Sequence, residues 1–243
     1  MKKFVKICSI ILFIFVLLSC GKKTPPLPIE KSIPENVSFK IIPTEASLDL
    51  LIILPTKTKG GYALTKIKKI IIEKKEKSLD IPYVKEKKKI IKISPKIHSA
   101  GNIYIYSDYK VKHRYQYKYR IKVIKDFLVK TPFTQEKIAY WHNPPDIPLN
   151  FKISFLKPDA VYITWEKPSR DIFSLYLEGK VFYRLKKITS EDVKIWEIKD
   201  KTEFFDNKIK PFKKICYRIR AVLDFRGTLI PGPESPEKCI EIK

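Results

Sequence analysis

The chain has 243 residues, 44% of them hydrophobic, and carries 50 Lys and Arg against 26 Asp and Glu, a net charge of +24. That length supports one large or two small packed domains, and the charge points to something anionic as a neighbour. The three histidines, His98, His113 and His142, are scattered, and no metal-spaced pair, phosphate loop, dinucleotide fingerprint or Gly-x-Ser-x-Gly motif is present, so no catalytic residue, metal ligand or cofactor site is expected.

At the N-terminus Lys2, Lys3 and Lys6 precede an apolar run, Ile7–Leu18, and then Ser19 and Cys20. The run is 12 residues long, short of the roughly 20 that a spanning helix needs. A basic start, a short apolar stretch and a small residue before a polar chain form a secretory signal. Leu17-Leu18-Ser19-Cys20 resembles the lipobox of bacterial lipoproteins. The resemblance implies that residues 1–19 are removed, that the Cys20 sulfur carries a diacylglyceryl group, and that the protein is held on a membrane by its acyl chains. Each buried CH₂ of such a chain contributes about 0.8 kcal/mol. Gly21 in place of aspartate after the cysteine implies sorting to the outer membrane, facing the periplasm. Export argues against nucleic acid as a partner, although the charge and the tyrosines would suit it.

Residues 20–32 contain Pro25, Pro26 and Pro28 and are expected to form an extended tether, at about 3.1 Å per residue. Beyond it the charge is uneven: Ile33–Trp141 has 24 basic and 10 acidic residues, and His142–Lys243 has 20 and 15.

These two stretches repeat each other. YRIKVIKDF at Tyr119–Phe127 returns as YRIRAVLDF at Tyr217–Phe225, 98 residues on, and the same offset pairs Asp108 with Asp206. Leu48–Pro55 matches Val161–Pro168 at an offset of 113. The first copy therefore holds about fifteen more residues between its early and late strands, placed near the Lys-rich stretch Lys85–Lys96. Tyr117, Tyr119, Ile121 and Val123 alternate with Lys118, Arg120 and Lys122, and Ile215, Tyr217, Ile219 and Ala221 alternate with Cys216, Arg218 and Arg220. Period-two alternation buries one face of a strand and wets the other. Short strands with proline-rich punctuation, and no helical period after the signal, predict antiparallel sandwiches.

The second copy resembles a fibronectin type III domain. VYITWEKP reads as its second strand with Trp165 as core tryptophan, Gly179–Arg184 as its third, and Phe204–Pro211 as the approach to its sixth. Ile215 stands where that family often has a corner tyrosine, a place that Tyr117 fills in the first copy. The resemblance implies an all-β chain: two tandem immunoglobulin-like (fibronectin type III) sandwiches, 33–141 and 142–243, after a cleaved signal segment. His142-Asn143-Pro144-Pro145-Asp146 is expected to restrict bending between them without welding them. The leader Cys20-Gly21-Lys22-Lys23-Thr24-Pro25 resembles that of proteobacterial lipoproteins that continue into such domains, and a related leader in a short lipoprotein of lipopolysaccharide insertion. Together these imply a non-enzymatic, lipid-anchored binding or scaffolding protein of the cell envelope, or alternatively an accessory factor in lipopolysaccharide or outer-membrane assembly.

Two groups of residues are candidate sites. Lys118, Arg120 and Lys122 should project from one strand, with Lys87, Lys88, Lys89 and Lys92 beside them or on a hairpin. They read either as a site for an anionic envelope polymer or as a solvated face that keeps strand edges from pairing with other chains. An envelope protein is the other partner class. The tyrosines at 104, 106, 109 and 115 read as cross-strand packing more than as a sugar platform. In an exported compartment Cys216 and Cys239 are a disulfide candidate. With the sixth and seventh strands turning near Thr228–Leu229, antiparallel partners should sum to about 457, and the cysteines sum to 455. Parity places both on the outer face.

Overall fold

The computed structural model describes residues 28–241 apart from 65, 96–101, 158–159, 208 and 210–213. Cys20, the signal segment, most of the proline leader and His98 lie outside the described residues. No helix among the described residues is long and apolar enough to cross a membrane.

Past one helical turn, α1 (Ile29–Ser32), the chain is all β. β1 (Ser38–Pro43), β2 (Leu48–Ile53) and β5 (Ile103–Asp108) form one sheet, in the order β1-β2-β5. β3 (Lys69–Ser78), β4 (Lys87–Ile93), β6 (Tyr115–Ile124) and β7 (Lys137–Trp141) form a second, in the order β4-β3-β6-β7. The pattern then repeats. β8 (Leu149–Lys157), β9 (Ala160–Glu166) and β12 (Glu203–Asp206) make a three-stranded sheet. β11 (Val193–Ile198), β10 (Lys180–Ile188) and β13 (Lys214–Phe225) face it, and both β14 (Thr228–Pro231) and β15 (Lys238–Glu241) pair with β13. Every pairing is antiparallel. First, second and fifth strands on one side and third, fourth, sixth and seventh on the other is the strand order of a fibronectin type III sandwich, present twice.

Alternation decides which side chains fill each core. Leu48, Leu50 and Ile52 of β2 are fully buried, as are Tyr117, Tyr119, Ile121 and Val123 of β6, while the residues between them are partly wet. Val161, Ile163 and Trp165 of β9 and Tyr217, Ile219 and Ala221 of β13 do the same in the second sandwich. Tyr117 Oη accepts a 2.7 Å hydrogen bond from the Lys112 amide, a tyrosine corner that Ile215 cannot make. Nine of the additional residues of the first copy lie in the connections flanking β4, where 79–86 and 94–102 replace the short turns 189–192 and 199–202 of the second, and the rest lengthen β3, β4 and β5.

The end of the tether departs from the extended form. Pro28 fixes the entry to α1, Lys31 N–H donates to the Pro28 carbonyl, and Gly60 N–H and Lys59 N–H reach back to the carbonyls of Lys31 and Ile33. Glu30 and Lys31 are the second and third residues of this single turn. The turn forms because the loop at 59–60 offers it hydrogen-bond donors, which composition alone does not reveal.

The junction between the sandwiches also departs from expectation. Leu223, Phe225 and Ile230, from the β13–β14 hairpin of the second sandwich, belong to the hydrophobic cluster of the first. His142, Pro144 and Pro145 of the linker are buried. Ile172 N–H donates to Pro144 O and Asp146 N–H to Arg170 O, pinning the linker to the β9–β10 connection. Thr228 Oγ1 accepts from Tyr140 N–H at 2.9 Å, Arg220 meets Glu45 at 3.2 Å, and Arg114 pairs with Glu178. The two sandwiches are welded because the hairpin carries apolar residues past its own core into its neighbour's.

Candidate functional site

The outer face of β4-β3-β6 is where the candidate cations meet. Register places them in rows: Lys88, Lys75 and Lys118; then Ile90, Glu73 and Arg120; then Lys92, Ile71 and Lys122. Five of the seven candidates, Lys88, Lys92, Lys118, Arg120 and Lys122, therefore share this face. Lys87 and Lys89 do not: they have the parity of Ile91 and Ile93, which pack towards the core, and they lie exposed along the edge strand β4.

A carboxylate that alternation alone does not single out organises the face. Glu73 is 2% exposed on the outer side of β3. Arg120 Nε donates to its Oε1 at 2.7 Å, Arg120 Nη2 to its Oε2 at 3.2 Å, and Lys88 Nζ lies 2.7 Å from Oε2. The Arg120 hydrogen bond, with that of Lys88 and against the cost of burial, holds the Glu73 carboxyl down at about 2. Lys75 pairs with Glu136 at 2.8 Å, and Lys118 donates to Glu86, lowering that carboxyl too. Arg120 and Lys122 lie 4.6 and 4.5 Å from the Phe133 ring centre. Among the described residues no carboxylate comes within ion-pair distance of Lys87, Lys89, Lys92 or Lys122; Lys122 covers the Phe133 ring, which leaves Lys87, Lys89 and Lys92 with neither contact for an outside anion.

Inside each sandwich sits a buried polar triad. Asp108 Oδ2 accepts from Tyr119 Oη at 2.8 Å and lies 2.6 Å from Lys74 Nζ. Asp206 Oδ2 accepts from Tyr217 Oη at 2.7 Å and from Lys187 Nζ at 2.6 Å. Lys74 also donates to the Lys110 carbonyl at 2.8 Å and covers the Tyr117 ring. The repeat explains the duplication: Lys74 and Lys187 differ by 113, and the other pairs by 98. Asp108 Oδ1 also takes a turn amide, Lys110 N–H at 3.1 Å, while its second oxygen serves the core. Burial, with the carboxylate beside each, raises both tyrosine hydroxyls well above their ordinary range. They are donors of fixed polarity, suited to holding two sheets together and not to exchanging protons.

Tyr117 and Tyr119 are fully buried; of the tyrosines expected to pack across strands, Tyr104, Tyr106 and Tyr115 rest half-buried on the core, and Tyr109 is exposed. Cys216 and Cys239 are joined by a disulfide, with Cα atoms 4.0 Å apart and direct register between β13 and β15. Two details differ from the sequence reading. The turn falls at Arg226–Gly227, so partners sum to 453 in the hairpin (Phe225 with Thr228) and to 455 at the cysteines, the slip being taken up between Pro231 and Lys238. Cys216, flanked in the sheet by Ile188 of β10 and Cys239 of β15, is 7% exposed, while Cys239 is exposed.

No protein-family model matches the chain, and no curated protein matches its sequence. Among solved structures it is similar to the FN1-FN3 domains of chicken CNTN1, with 12% identity and a TM-score of 0.48 over 86% of this chain. The chain spans 63% of the length of that structure. It is also similar to a structure described as a myokine, with 13% identity and a TM-score of 0.32 over 40% of this chain and 97% of the other. On its own strand order and cores, the chain is a tandem of two immunoglobulin-like, fibronectin type III sandwiches.

Proposed function

We propose that this is a non-enzymatic binding or scaffolding protein of the bacterial cell envelope, anchored by a lipid on Cys20 in the outer membrane and facing the periplasm. The observation that carries the scaffolding role is the core shared across the junction, where Leu223, Phe225 and Ile230 complete the first sandwich. Two domains joined in this way are a stiff spacer, able to present surfaces at a set distance from an anchor. The lipobox and basic start of the sequence support the anchor. The partner is an envelope protein or an anionic envelope polymer, the latter engaging the exposed edge at Lys87, Lys89 and Lys92, where charge is not already committed to carboxylates.

The anchor is tested in the producing cell. Protein from the membrane fraction should begin at Cys20 and carry acyl mass on that residue. Cys20→Ala should leave the membrane or remain as unprocessed precursor. A Cys20→Ala chain that is processed normally and stays in the membrane contradicts the proposal.

A further inference from the structure

The sequence shows no metal-spaced histidine pair, yet the junction brings two histidines and an aspartate together from three elements. His113 lies in the connection between β5 and β6, His142 directly follows β7, and Asp171 lies in the connection between β9 and β10. One ligand-type atom from each falls within 4.8 Å of the others. The His113 and His142 rings meet edge-on with centres 4.3 Å apart.

Three further observations point to a ligand. His142 is fully buried, and its Nε2 has no hydrogen-bond partner. Its Nδ1 lies 2.8 Å from the Asn143 carbonyl. Donation there fixes the tautomer that leaves a lone pair on Nε2, the arrangement by which outer hydrogen bonds orient metal-binding imidazoles. Asp171 is 1% exposed, and no cationic side chain pairs with it among the described residues. Its Oδ1 accepts from the amides of Phe173 and Leu175, and its Oδ2 from Asn143 Nδ2 at 2.8 Å, so the carboxylate is held in place while its charge is uncompensated. His113 is half-buried, and its Nδ1 takes only a long 3.4 Å bond from the Asn143 amide, so no short hydrogen bond holds that nitrogen and the ring stays partly open to solvent.

We propose that His113, His142 and Asp171 bind a divalent cation of the zinc class across the domain junction. Two imidazoles and a carboxylate are a donor set for such ions, and a tetrahedral ion with bonds of about 2.0–2.1 Å spaces its ligands about 3.3 Å apart. Turning the His113 ring closes the present triangle, and the fourth position takes water. Because His113 belongs to the first sandwich and Asp171 to the second, the ion clasps the two together.

The test uses the full chain, untagged, in detergent, stripped with chelator and kept non-reducing so that Cys216 and Cys239 stay joined. Zn²⁺ alone is titrated calorimetrically and melting is followed with and without it. The expected result is one saturable Zn²⁺ per chain and a higher melting temperature, with affinity reduced by about tenfold or more in His113→Asn and Asp171→Asn. His113 is half-buried, so its variant keeps the question answerable if Asp171→Asn folds poorly. Absence of saturable 1:1 binding, or equal affinity in wild type and His113→Asn, overturns the proposal.

Discussion

Glu73 shows how one buried carboxylate converts a run of cations into structure. Its folded value of about 2 lies below the ordinary 4.5, so it contributes stability that is present above about 4.5 and is lost as the pH falls towards 2. Glu73→Gln should flatten the decline of urea stability across that window relative to wild type, and parallel declines would remove Glu73 from the explanation. The triads make a sharper prediction. Asp108→Ala takes from the buried Lys74 its 2.6 Å carboxylate and leaves it the Lys110 carbonyl and Glu76 at 3.9 Å; breaking such a buried pair costs about 3–5 kcal/mol, and Asp206→Ala should destabilise the second sandwich in the same direction. A loss below about 1 kcal/mol in urea unfolding at pH 7 would mean that the pairs are not coupled to folding. At this scale the sequence was legible where alternation speaks, as at Tyr117 and Tyr119. It was not legible at Lys74 and Glu73, because adjacent charged residues on a strand look alike until the register reveals which points inward.

The elements are legible in the sequence where hydrophobic period and repeat coincide, as in β6, β9 and β13. Errors gather where hydrogen bonds from distant loops decide: α1 is held by the loop at 59–60, and the last strand is split into β14 and β15 by a stretch that slips the register by two. The disulfide staples β15 to β13 beyond that slip. Its closed loop, from a sequence separation of 23, should stabilise the chain by about 3 kcal/mol in the chain-entropy model. Cys216→Ala with Cys239→Ala should lower unfolding stability by about that amount. Non-reducing peptide mapping should recover the two cysteines as one linked pair. Free thiols at both positions, or a double variant as stable as the parent, would count against the staple.

The whole molecule is where sequence reasoning fell shortest. A proline-rich linker between two repeats reads as a restrained hinge, and nothing in its composition tells that the hairpin of the second copy fills the core of the first. The histidines 29 residues apart likewise appear scattered until the linker folds back. If the two sandwiches are one body, they unfold together. Gly232 marks the weld: a Cβ there would lie 2.3 Å from the Pro145 carbonyl oxygen, so Gly232→Ala forces the linker and the second sandwich to shift against each other. The most direct measurement is differential scanning calorimetry of the full chain in chelator, wild type beside Gly232→Ala. The wild type should melt in a single transition whose calorimetric and van't Hoff enthalpies agree, and Gly232→Ala should melt lower and in two steps. Two independent transitions in the wild type would contradict a single rigid unit, and with it the scaffolding role built on the shared core.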